Sequence, residues 1–358
     1  MTRVALIFGG KSAEHDVSIL SARSVSAAAP SRLQIIPVFM SKDGAFLDPE
    51  RSAAVLRGLP VEGAPADFSF ESWWRAGNAD VVFPLIHGTG GEDGTLQGYL
   101  ETLGAPYAGS GVAASAVAMD KGHMKHAFSA AKLPTVEHVA VLESDWRTEK
   151  ERISRAVDNA LRLPYFVKPA NSGSSIGVVK VKSDAELGKA MDFAFRFDDK
   201  VLVERGVDAR ELEISVLGNT TVEASVPGEI VPGGDFYDYA DKYADDKASL
   251  IIPARLPKEK SEEVRRLAIA AFKAVGAAGY ARVDFFLERG TNRLYVNEIN
   301  TIPGFTNISM YPKLWEAAEL KYSRLIERLV ELGLERHKAR EERHQSAMAW
   351  LREARRIV

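Results

Sequence analysis

Residues Val4 to Phe8 form an apolar run with no polar alternation, cut off by Gly9-Gly10. A strand of this kind cannot turn one face to water, so it belongs in a parallel sheet covered on both sides. A helix over Val17 to Ala29, stopped near Pro30, brings the chain back. Two more apolar runs, Leu33 to Phe39 and Val81 to Ile86, repeat the pattern. This βαβ rhythm predicts an open-sheet α/β domain over residues 1–109.

Beyond it, the Ala-rich stretch from Gly111 to Ala131 reads as one helix closed by Pro134. A strand from Val136 to Leu142, a charged helix from Glu143 to Ala160 and a strand from Tyr165 to Lys168 follow. The loop Asn171 to Gly177 then leads into Val178 to Val181, and a helix spans Asp184 to Phe195. Together these predict a small central α+β unit over 110–204. Strand Val201 to Glu204 ends that unit, and strands Glu211 to Leu217 and Thr221 to Val226 open a third, 205–333. Its polar loop, 233–247, is long for a connection without structure of its own and is expected to act as a lid. Helix Lys258 to Val275 and strands Tyr280 to Leu287 and Arg293 to Glu298 complete it. A charged helix, Leu334 to Ile357, forms a C-terminal extension over 334–358, at the surface or at an oligomer contact.

The chain has 358 residues, more than a single core usually serves. Its net charge of −3 provides no general attraction for nucleic acid. The absence of cysteine excludes disulfides, thiolate metal sites and a thiol nucleophile, and fits a reducing compartment. No apolar run is long enough to span a membrane, and the first residues read as strand and loop rather than a leader. A soluble, cytoplasmic protein is expected.

The segment KPANSGSSIG, Lys168 to Gly177, places a lysine at a strand end before a loop of small residues. Backbone N–H groups, hydroxyls and the ammonium suit phosphate oxygens; an ordinary hairpin turn explains the same residues. It is not a Walker A loop, because neither it nor FGGKS has the required glycine spacing. GSGVAA from Gly109 matches a dinucleotide fingerprint only weakly, with no strand leading into it.

In RVDFFL, Arg282 and Asp284 are two apart and share a strand face; in YVNEIN, Glu298 and Asn300 do the same. If the strands are neighbours, hard oxygen donors converge beside an arginine, as Mg²⁺ requires. Two strands with wet outer faces explain one pair easily and both pairs less well. After Asn300, Pro303-Gly304 marks a turn, where Gly304 can present its N–H to a reacting carbonyl, and Ser309 can cap a helix. Glu14 and His87 lie in loops after strands, where open sheets bind ligands. Glu14 suits a substrate ammonium, and His87 is either structural or catalytic.

The order of these segments is informative. FGGKSAEHDVSILSA, HGTGGEDGTLQG, GSGVAASAVAMDK, VKPANSGSSIGV, DYADKY, ARVDFFL and NEINTIPGFTNISMYP resemble, in sequence order, the signatures of D-alanine–D-alanine ligases, and cover nearly the whole chain up to Pro312. The resemblance implies a three-domain ATP-grasp fold with an N-terminal open parallel-sheet domain. It implies ATP and Mg²⁺, two ions with Mn²⁺ as a possible substitute, D-alanine as substrate, and a homodimer. For ATP it implies Lys121, Lys168, Ser174, Ser175, Glu204, Arg205, Val207, Glu211 and Lys242. Arg205 stands where some members carry Lys. Asp284, Glu298 and Asn300 match the metal ligands. For the amino acids it implies Glu14, Val17, Ser18, His87, Tyr243, Arg282, Gly304, Ser309 and Met310, with Ser174 and Tyr243 tying Glu14 to the lid. Arg282 and the Gly304 N–H match the oxyanion-stabilising groups. Tyr243 is similar to the D-alanine-selecting form of the family, and Asp16 replaces a common Glu.

Overall fold

The computed structural model describes residues 1–61, 68–231 and 249–355. The expected lid, 233–247, with Lys242 and Tyr243, lies outside them.

Strands β1 (Thr2–Gly9), β2 (Leu33–Met40) and β3 (Val81–Pro84) form a parallel sheet ordered β2-β1-β3, with helix α1 (His15–Ala28) in the first crossover. Val4 through Phe8 are all fully buried, as their unbroken apolar run demands. Val4, Leu6 and Phe8 face α1 and the C-terminal helix, while Ala5 and Ile7 face Leu96, Leu100 and Tyr107 on the other side. Helices α2 (Pro49–Leu56), α3 (Phe70–Arg75) and α4 (Thr95–Thr102) lie between and beyond these strands.

The single helix expected over Gly111 to Ala131 is two, α5 (Val112–Met119) and α6 (Lys121–Ala130). Asp120, in extended conformation, separates them, and its carboxylate caps α6 by accepting the His123 N–H at 3.0 Å. The expected central unit over 110–204 also needs revision. Ala118, Met124 and Phe128 of these helices pack into the core of the C-terminal sheet with Leu212, Ile214 and Val283. The central core proper starts at β4 (His138–Leu142) and continues through α7 (Glu143–Ala160), β5 (Tyr165–Pro169), β6 (Val179–Val181), α8 (Asp184–Ala194) and β7 (Lys200–Arg205). These strands form an antiparallel sheet, β4-β7-β5-β6. Its alternation is visible in β5: Tyr165 and Val167 are buried under the helices, whereas Phe166 and Lys168 face the open side.

Six strands make the third, antiparallel sheet: β8 (Ala209–Gly218), β9 (Val222–Ala224), β10 (Gly228–Val231), β11 (Ser249–Ile251), β12 (Gly279–Glu288) and β13 (Leu294–Asn300). The order is β11-β10-β8-β12-β13, with β9 paired to β8. Helix α9 (Lys258–Ala274) buries Val264, Leu267 and Phe272 against one face and leaves the other for the site.

Helices α10 (Met310–Ala317) and α11 (Tyr322–Ala354) end the chain. The separate extension expected from Leu334 is instead part of the 33-residue α11. Its first half carries Leu325, Ile326, Leu329 and Val330 onto the N-terminal sheet, a helical apolar spacing outweighed in the sequence by the charges around it. Glu341 to Trp350 is exposed throughout. Among the described residues no helix is long and apolar enough to cross a membrane.

Candidate active site

Two cavities open between the sheets. One, of about 820 Å³, lies between the open face of the central sheet and β8, β12 and β13. The other, of about 910 Å³, lies between α1, the loop after β3 and the segment following β13. Gly173, Ser174, Glu213 and Glu298 line both, so the cavities meet at the glycine-rich hairpin and the acidic end of the large sheet.

The first cavity is walled by Phe166, Phe286 and Val207, with Lys121, Lys168, Ser174 and Ser175 at its polar end. Apolar walls beside convergent cations suit a nucleotide. Lys168 lies within cation–π distance of both phenylalanines, 5.9 Å from each ring centre. Lys121 donates to the Ser172 carbonyl at 2.6 Å and sits 3.8 Å from Glu298. Ser174 and Ser175 both adopt left-handed backbone, at φ 49° and 58°. Two consecutive non-glycine residues in that region are strained, which points to a functional loop rather than an ordinary turn.

Glu204 and Arg205, expected to bind ATP, have side chains committed to the protein. The buried Glu204 carboxylate takes Lys168 on one oxygen and Lys125 on the other, each at 2.5 Å. Burial alone would raise its pKa, but the two ammoniums outweigh that and hold it at about 2. Burial pushes Lys125 down. Arg205 donates to Glu137 at 2.8 Å, Glu288 at 3.2 Å and the Tyr295 hydroxyl at 3.1 Å. What this pair of residues offers the cavity is therefore mainly backbone. Glu211 lines the cavity.

On the large sheet, Arg282 pairs with Asn300 and Asp284 with Glu298 across β12 and β13, followed by a register shift that leaves Asn297 unpaired. The two pairs therefore share a face. The third strand adds Glu213, opposite Asp284 on β8. Arg282 binds Asp284 through two N–H groups at 2.7 Å and Glu213 at 2.9 Å. Three carboxylates in adjacent register repel one another and are met by Arg282 and Lys121. Among the described residues no three of His, Cys, Asp and Glu form a metal-holding cluster. The donor set is two carboxylates and a carboxamide, Asp284, Glu298 and Asn300. That set fits Mg²⁺, which retains waters and phosphate oxygens.

In the second cavity the Glu14 carboxylate is the pivot. Its Oε1 accepts the Ser174 hydroxyl at 2.5 Å, joining the N-terminal domain to the hairpin. Its Oε2 rests against two glycines, where a Cβ would lie 2.6 Å away at Gly88 and 2.9 Å away at Gly173. Val17, His87, Arg282, Asn300, Gly304, Ser309 and Met310 line the same cavity. The His87 ring is fully engaged: Nδ1–H donates to the Ile302 carbonyl at 2.9 Å, and Nε2 accepts the Ser21 hydroxyl at 2.9 Å. Burial lowers its pKa, keeping the imidazole neutral.

Ser18 is a correction. It is buried away from both cavities, accepting the Gly9 N–H at 2.8 Å and donating to the Leu85 carbonyl at 2.6 Å. Its hydroxyl ties β1 to the end of β3, and its one O–H is already donated. Ser309 occupies the N-cap position of α10, but its oxygen accepts the Thr306 N–H at 3.0 Å instead of capping the helix.

Sequence reading missed Glu92, Lys125 and Glu213. Glu92 is partly buried in the wall of the second cavity, and loss of solvent followed by the nearby Glu14 charge pushes its carboxyl up to about 8. Alternation along Glu211 to Leu217 was sufficient to place Glu213 on the same face as Glu211.

Comparison with known proteins identifies the family. The family model for the D-ala D-ala ligase N-terminus matches residues 3–110, and that for the C-terminus matches 127–331. The chain is 47% identical to the D-alanine–D-alanine ligase of Solibacter usitatus, over 95% of this chain and 97% of that protein. It is 48% identical to that of Halothermothrix orenii, over 93% and 98%. Among solved structures, the D-alanine-D-alanine ligase from Coxiella burnetii aligns with a TM-score of 0.82 and 34% identity, covering 98% of this chain and 99% of that one. The VanG D-Ala:D-Ser ligase from Enterococcus faecalis aligns at 0.78 and 29%, covering 93% and 99%. Two family models across the chain and near-full-length relatives make this chain a member of the D-alanine–D-alanine ligase family.

Proposed function

We propose that this chain joins two D-alanines into D-alanyl-D-alanine at the expense of ATP, for peptidoglycan precursor synthesis, with ADP and phosphate as the other products. The observation that carries this reading is the shared wall: a cavity suited to a nucleotide meets one holding Glu14 and Arg282 at Ser174 and Glu298.

The carboxylate of the first D-alanine, its ammonium beside Glu14, attacks the γ-phosphorus of ATP. The bond from that phosphorus to the ADP oxygen breaks, giving an acyl phosphate. Lys121 and Lys168 offset charge spreading over the transferring phosphoryl group; Lys242 is proposed to join them. Asp284, Glu298 and Asn300 would hold Mg²⁺, which supplies charge neutralisation at the phosphates when bound. The amine of the second D-alanine, held near Ser309 and Met310, then attacks the acyl carbon. The C–N bond forms, the nitrogen loses a proton and phosphate leaves. Arg282 and the Gly304 N–H stabilise the oxyanion, a role worth on the order of 3 kcal/mol per donor. The proposed lid, 233–247 with Tyr243, would keep water from the acyl phosphate.

The reading extends to domains over 1–109, 110–204 with the revision above, and 205–333, to a homodimer, and to a cytoplasmic location supported by the cysteine-free composition. Making D-alanyl-D-serine is the competing activity, raised by the VanG match. Tyr243 and the higher identity to D-alanine–D-alanine ligases favour the dipeptide of D-alanine. Mass spectrometry of the product from ATP, Mg²⁺ and D-alanine, with D-serine and D-lactate added in turn, decides. Dipeptide as the dominant product in all mixtures is expected, and D-alanyl-D-serine as the main product would overturn the assignment.

A further inference from the structure

Gly304 presents the oxyanion N–H from a segment without regular structure, so something must fix its position. The flanking residues are held by the N-terminal domain. Glu92 accepts the Ile302 N–H on Oε1 at 2.9 Å and the Gly88 N–H on Oε2 at 2.8 Å. His87 donates to the Ile302 carbonyl, and Ser21 accepts the Phe305 N–H at 3.2 Å. Ile302 is therefore gripped at both backbone polar groups, and Phe305 at one, by residues more than 200 positions away in the chain.

Among these, Glu92 alone joins two backbone segments through the two oxygens of one group. The loop that carries it has no slack: a Cβ at the neighbouring Gly91 would lie 2.0 Å from the Ile86 carbonyl oxygen. The carboxyl is thus delivered by a rigid turn. Resting on the ligase reading above, we propose that Glu92 is a positioning residue that sets the 302–305 segment, and with it the Gly304 N–H, for the second half-reaction. Glu92 lines the amino-acid cavity and is not among the residues lining the nucleotide cavity. Its loss should therefore spare acyl phosphate formation and slow its capture by the amine.

The distinguishing readout is the ratio of phosphate released to dipeptide formed. In Glu92→Ala both N–H groups lose their acceptor; in Glu92→Gln one acceptor remains and an N–H donor is turned against the other backbone N–H. Both variants are expected to release excess phosphate through hydrolysis of the stranded acyl phosphate. Dipeptide turnover should fall roughly tenfold or more, with KM for ATP near wild type. Glu92→Gln should show the smaller change and serves alone if Glu92→Ala does not fold. A folded variant that keeps one phosphate per dipeptide, whether at wild-type rate or with both products reduced together, overturns the proposal. Wild-type protein making no dipeptide overturns the ligase reading instead.

Discussion

The Lys125 ammonium lies 2.5 Å from the Glu204 carboxylate, with both side chains only 2% exposed, and the other oxygen of that carboxylate holds Lys168. Removing Lys125 leaves a buried acid with one cation where it had two. Lys125→Met is expected to cost about 3–5 kcal/mol in chemical denaturation. It should also raise KM for ATP, because Lys168 is then drawn further toward Glu204.

The same pair sets an acid limit. Glu204 is held at about 2 in the folded chain, below its ordinary 4.5. A depressed carboxyl contributes stability that is fully present above the unfolded value and is lost as pH falls through the folded one. The wild-type denaturation midpoint should therefore decline between about pH 4.5 and 2. Lys125→Met should decline less over that window. Parallel curves for the two proteins would show that other acids govern it.

Gly173 sits where a Cβ would come 2.9 Å from Glu14 Oε2. Gly173→Ala should push Glu14 off the Ser174 hydroxyl, at an overpacking cost of roughly 1–3 kcal/mol. Steady-state kinetics with each substrate varied should show a higher KM for the first D-alanine than for wild type. The change in KM for ATP should be smaller.

Ser18 gives the opposite pattern. Ser18→Ala removes two buried hydrogen bonds at the ends of β1 and β3. The expected loss is about 1–3 kcal/mol of stability, with both amino-acid KM values unchanged. A raised KM without destabilisation would restore its role as a substrate ligand.

Arg282 is bound to Asp284 and Glu213, and burial does not stop those acids from raising its pKa well above the ordinary value. It stays cationic across the working pH range. Arg282→Ala should cut dipeptide formation on the order of a hundredfold while nucleotide still binds, as titration with an ATP analogue would report. Near-normal turnover would remove its assigned role.

Much of this was legible in the sequence because strand geometry is strict. Period-two alternation placed Arg282 with Asp284 and Glu298 with Asn300, and the neighbouring strands then brought both pairs together in register. The unbroken run Val4 to Phe8 announced a doubly covered strand. What escaped were contacts between distant segments. Lys125 looks like any surface lysine on a helix, and nothing local says that Glu204 waits behind it. Ser18 fell inside a matching motif, yet a motif records which residues recur and not whether a hydroxyl faces ligand or backbone. The break at Asp120 was hidden by good helix formers on both sides, whereas the acid itself serves as a cap.

Ser174 belongs to the hairpin that borders the nucleotide cavity, and it is bonded to Glu14 from the amino-acid side. A swing of that hairpin wide enough to admit or discharge a nucleotide must sever this bond. The two chambers consequently unlock in one motion, and an activated acyl group left behind by departing ADP would find itself in an open room.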